Sequence, residues 1–159
     1  MTLGQALMVV AAVGAGAVGG VFFSFSTFIM RGLARLPAPQ GAAAMQSINI
    51  TAVRPAFMTA LFGTGAVCVA LAVRAIAVWD AASAPLLVGV GLYLLGAIGV
   101  TIVGNVPLNN ALAAAEPSGG PTPDLWRDYV RRWTRWNHAR TVSCLGAAVA
   151  FVVAAIAQS

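Results

Sequence analysis

The sequence predicts an all-α fold, a bundle of four transmembrane helices, and three observations carry that prediction. Of 159 residues, 60% are hydrophobic and only 8% charged, and the mean hydropathy is +0.87, far from the balanced usage of a soluble domain. Four apolar runs are each long enough to cross a hydrocarbon core of about 30 Å as helices. No segment reads as a strand. Four spans of about 20 residues consume roughly half the chain, so one integral membrane domain over residues 1–159 is expected.

The first run, residues 3–30, is too long for the apolar region of a signal peptide and no positive residue precedes it, so it reads as a retained span. Within it Gly16, Gly20 and Ser24 lie four apart, and this spacing is expected to let a neighbouring backbone approach closely. The first connection, RGLARLPAPQGAAAMQSINITAVRP, should approach the second span as an amphipathic interfacial segment with Asn49 on its apolar side. Arg54, before Pro55, is placed at the interface. The second span is expected over 55–78, a short DAASAP turn follows, and the third span covers 84–104.

The third span ends in GNVPLNNAL, residues 104–112. Pro107 lacks an amide donor, so either the helix kinks there or a new turn begins with proline near its first position. If the helix continues, Asn105 and Asn109 stack on one face and Asn110 points elsewhere. The stretch EPSGGPTPD then separates a helix end from a new helical segment, with Asp124 as its expected N-cap. The fourth span covers 139–157.

The cations are nine arginines with no lysine, against four acids, giving a formal charge of +5. The arginines sit between apolar runs, where they orient helices and meet headgroups, so the partner they imply is a lipid bilayer and not nucleic acid. Eight of the nine fall in connections one and three or at their span ends. The positive-inside rule then puts those connections in the cytoplasm and both termini outside. A lysine-free chain rich in alanine, glycine and arginine suits a GC-rich bacterial genome, hence an inner (plasma) membrane. Cys68 and Cys144 lie in apolar runs and read as small buried hydrophobes. With one histidine and no cysteine pair, no metal site and no haem or other cofactor is expected. The two halves are not inverted copies, which weakens a transporter reading. Self-association into a homo-oligomer is left open.

Taken as a helix, residues 126–144 divide into two stripes. Trp126, Trp133, Asn137, Arg140 and Cys144 share one, while Arg127, Arg131, Arg135 and His138 share a basic face. An arginine and an amide on the inward stripe of an apolar span are costly unless they pair or line a wet cavity. The candidate reactive set is therefore Arg140, Asn137, Asn109 and Asn105, with His138 a base only if the helix bends enough to turn it inward. Trp133, Trp126, Trp136, Tyr129 and Asn49 are the candidate binding wall. The bland alternatives are an interfacial aromatic belt, a capped helix end and an interfacial histidine.

The glycine-rich first span running into FFSFS, then MQSIN, NVPLNNAL, the W-Y-W series and WNHAR, resemble the anthrone oxygenase-like family over nearly the whole chain. The resemblance implies a small membrane protein that oxidises an anthrone, a hydrophobic phenolic polycycle, to a quinone with O2 and without metal or flavin. It carries the family pattern onto Asn105, Pro107, Asn109, Trp133, Asn137 and Arg140, with Asn49 and His138 as weaker matches. The competing reading is a non-catalytic membrane protein that binds a lipid, quinone or partner protein, its amides and arginine acting as polar glue between helices.

Overall fold

The structure is a computed structural model that describes residues 2–115 and 121–158. It is all-helical among those residues. Four helices are long and apolar enough to cross a membrane: α1 Leu3–Leu33, α3 Pro55–Ala77, α4 Ser83–Ala114 and α5 Pro123–Ala157. Between α1 and α3 lies α2, Ala38–Ala52. The chain is an integral membrane protein, and its surface shows why: Val9, Val13, Phe62, Val73, Leu95, Val142 and Val149 all point outward, a pattern that only a lipid environment makes inexpensive.

Three of the helices overrun the expected spans. At 1.5 Å per residue α5 is about 52 Å long, against a hydrocarbon core of about 30 Å. Its excess lies at its N-terminal end, beside the last turns of α1 and α4 and beside α2. The EPSGGP part of the breaker stretch lies mostly outside the described residues. Thr122, not Asp124, caps α5: its hydroxyl accepts from the Leu125 amide, with Pro123 following at a position that needs no donor. Asp124 instead sits in the first turn, where its charge still suits the helix dipole.

The bundle holds two apolar cores. The first runs through the membrane and is built from Met8, Ala15, Phe22, Leu71, Leu86, Tyr93, Cys144 and Phe151, among others. The second lies at the end formed by connections one and three, where Met30, Ala42, Met45, Leu108, Leu112, Trp126, Tyr129 and Trp133 pack together. The expected close-approach stripe is corrected here. Gly16 and Gly20 have open space around them, whereas Gly19 lies against Cys144 of α5 and Gly96 leaves no room for a β-carbon beside Ser143. In lipid such backbone proximity replaces the hydrophobic drive between helices.

Both α1 and α4 widen into π turns between the two cores, at Phe25–Ile29 and at Thr101–Asn105. The second answers the Pro107 question. The Val106 amide reaches back five residues to the Thr101 carbonyl, and this extra residue in the turn lets the helix pass through Pro107 without ending.

Candidate functional site

A polar belt separates the two cores at the level of those wide turns. Asn137, fully buried on α5, is its centre. Its Nδ2 donates to the Phe22 carbonyl at 2.6 Å and to Ser26 Oγ at 2.7 Å, while its Oδ1 accepts from Arg140 Nη2 at 2.6 Å. Both donors and the oxygen of the amide are engaged, across α1 and α5. Thr141 extends the network, donating to the Asn137 carbonyl at 2.9 Å and lying 3.1 Å from Ser26 Oγ.

Arg140, only 5% exposed, turns its guanidinium toward α4 and α1. Nη1 donates to Thr101 Oγ1 at 3.1 Å, and the charge lies 4.1 Å from the centre of the Phe22 ring and 5.1 Å from that of Trp133. Both separations suit cation–π attraction. Arg140 Nε has no acceptor, and among the described residues no carboxylate lies within ion-pair distance of this guanidinium. A buried cation held by neutral groups alone keeps most of its field for an incoming anion.

The side of the belt toward the second core is set by GNVPLNNAL. Asn105, 1% exposed, donates Nδ2 to the Trp133 carbonyl at 3.2 Å and keeps its buried Oδ1 unpaired. Asn109, one turn on, accepts at Oδ1 from Trp133 Nε1 at 2.8 Å and from the Tyr129 hydroxyl at 2.9 Å. Both asparagines thus address α5, and Asn110 is exposed. Asn49 of α2 is half-buried and reaches the same Tyr129 hydroxyl. Trp126 is buried and stacked on Tyr129, with its Nε1 unpaired.

Two sequence candidates stand apart. His138 is exposed, and α5 runs unbroken through it, so the bend that would bring this imidazole inward is absent. Trp136 is 41% exposed and lies over Gly104 at the edge of the belt. A cleft of about 430 Å³ opens on its outer side, lined by Arg132, Arg135, Trp136 and Ala139.

Sequence reasoning missed Phe22, Ser26, Thr101 and Gln46, whose Nε2 ties α2 to the Leu112 carbonyl at 3.1 Å. Thr101 was within reach, since it lies one turn before Asn105 on the same face. Ser26 closes the FFSFS stretch four residues after Phe22 on the same helix face, but that spacing does not say which neighbour the face meets.

Among curated proteins and among solved structures, nothing matches the chain at a significant level. The family profile for anthrone oxygenase matches residues 55–150. That match is narrower than the near-complete resemblance expected from the motifs, since it leaves out α1 and α2. It nevertheless spans more than half of the chain and includes Asn105, Asn109, Trp133, Asn137 and Arg140, so the chain belongs to the anthrone oxygenase family.

Proposed function

We propose that the protein is a membrane-embedded, cofactor-independent oxygenase that converts an anthrone-like phenolic polycycle to the corresponding quinone. The observation that carries this reading is Arg140, a buried guanidinium without an acidic partner, flanked by two aromatic faces, in a chain of this family. The methylene of an anthrone is acidified by its two flanking rings and its carbonyl. Water takes one of its protons, which is returned when the peroxide forms, and leaves an anion with most of its charge on the carbonyl oxygen. Arg140 stabilises that oxyanion as it forms, in a low-dielectric setting where a preorganised charge is most effective. Phe22 and Trp133 supply aromatic faces to a flat ring system.

The electron-rich anion then delivers electrons to O2. A carbon–oxygen bond forms at the former methylene, the resulting peroxide loses water, and a second carbonyl remains. One O2 is consumed and one water released. Asn137 acts as a positioning residue, since it holds the guanidinium through Oδ1 while both its donors are committed to α1. Asn105 Oδ1, buried and unpaired, is available to accept from a phenolic hydroxyl.

Purified protein supplied with emodin anthrone and followed by quinone absorbance tests the proposal. Turnover should exceed the spontaneous oxidation, and Arg140→Met should lose about 100-fold or more, the usual effect of removing one oxyanion donor. Equal rates in both proteins, matching the uncatalysed background, would sink it. The second reading, a binding protein with the belt as polar glue, is favoured by how completely Asn137 is satisfied. It predicts bound quinone without turnover.

A further inference from the structure

The cleft outside Trp136 stands apart from the polar belt, and its surroundings define what it can hold. The acids on α5 leave this side underneutralised. Arg127 pairs with Asp124 at 3.2 Å and Arg131 with Asp128 at 2.6 Å. Arg132 reaches the same Asp128 only at 3.5 Å, and Arg135 has no ion pair among the described residues. Two cations therefore face one cleft with at most a shared fraction of one carboxylate between them.

Position along the helix decides the kind of anion. One turn beyond Arg135 the cleft ends at Ala139, and the row of α5 that starts at Arg135 continues at seven-residue steps as Val142 and Val149, both exposed. A polar cationic recess thus sits directly above an apolar, lipid-facing stripe. Trp136 stands at the junction, where an indole with one polar edge is favoured. A soluble phosphate has no use for the stripe. An anionic lipid uses both parts, its phosphate between Arg132 and Arg135 and an acyl chain along the valines.

We propose that this cleft is a specific site for the headgroup of one anionic phospholipid. The site does not depend on whether the polar belt is catalytic. The full chain, purified in detergent and titrated with phosphatidylglycerol or phosphatidylcholine under native mass spectrometry, tests it. Wild type should retain one phosphatidylglycerol and hold phosphatidylcholine more weakly. Joint substitution Arg132→Gln and Arg135→Gln should weaken phosphatidylglycerol by about tenfold or more, consistent with two basic residues near a lipid surface. The control Arg127→Gln with Arg131→Gln removes the same charge from arginines outside the cleft lining and should change retention less than about twofold. Equal weakening by both pairs would overturn the site, as would equal retention of the two lipids by wild type. Displacement of the lipid by glycerol phosphate at matched concentration would also overturn it.

Discussion

Arg74 and Arg140 enter the bundle from opposite ends, and their surroundings differ in one respect. Arg74, near the end of α3, meets Asp80 in the following turn at 2.6 Å, and Asp80 is further held by Ser83 Oγ and the Ala82 amide. That end is closed by a pair of opposite charges. Arg140 is more deeply buried, yet its partners are an amide, a hydroxyl and two aromatic rings. A structural cation is cheapest beside an acid, because the acid offsets its desolvation. The comparison teaches that Arg140 is held in place without being neutralised, the condition expected of a group that must act on an anion from outside the chain.

The comparison breaks most severely at Asn137. Alanine there takes the side-chain donor from the Phe22 carbonyl and from Ser26 Oγ and removes the shortest bond to a buried charge. We expect Asn137→Ala to cost about 3 kcal/mol of stability, seen as a large fall in melting temperature in detergent. A change within experimental error would show that the belt is not what joins α1 to α5. A sharper test supplies the missing acid. Thr101 already touches Arg140 Nη1 and is half-buried, so Thr101→Asp should give Arg140 the kind of partner Arg74 has. Anthrone oxidation should fall about tenfold or more as the field is quenched, while the melting temperature holds or rises. Retained activity would mean that the free charge of Arg140 is irrelevant to turnover.

The contrast between the two arginines was only half legible in the sequence. Composition and run length give the four spans because lipid imposes a simple rule on every spanning residue. The inward stripe of Trp133, Asn137 and Arg140 follows from helix geometry, which α5 obeys without interruption. The α1 side of the belt did not follow, since spacing puts Ser26 on one face with Phe22 without saying that this face meets α5. The same limit explains the misplaced glycine stripe: Gly16 and Gly20 have the right spacing, but spacing alone does not say which face meets a neighbour.

The second core offers a milder test of how far the belt depends on its neighbours. Asn109 Oδ1 serves both Trp133 Nε1 and the Tyr129 hydroxyl, so Asn109→Leu leaves the buried Trp133 Nε1 without its acceptor and the Tyr129 hydroxyl with Asn49. A loss of about 1–2 kcal/mol is expected, with faster amide hydrogen exchange in α2 and the first turns of α5 and little change around Phe151 and Leu86. Uniformly faster exchange in both cores would show that they unfold as one unit.

The smallest effect belongs to the end that is already neutralised. The hydrogen bond from Arg74, with support from Ser83, the Arg74 charge and the Ala82 amide, holds the Asp80 carboxyl below the usual carboxylate range despite some desolvation. A depressed native value means that the unfolded chain binds the proton more readily. The stabilisation is therefore present above the ordinary carboxylate value and is lost as pH falls through the native one. Asp80→Asn should lower the melting temperature slightly at neutral pH and remove that part of the acid-side decline, with anthrone oxidation unaltered. Because Asp80 is partly exposed, solvent and salt screen the pair, and raising the ionic strength should shrink even this difference. If the variant instead abolished turnover, the two ends of the bundle would be coupled through α3 and α4, and the charge at Arg140 would no longer account for activity by itself.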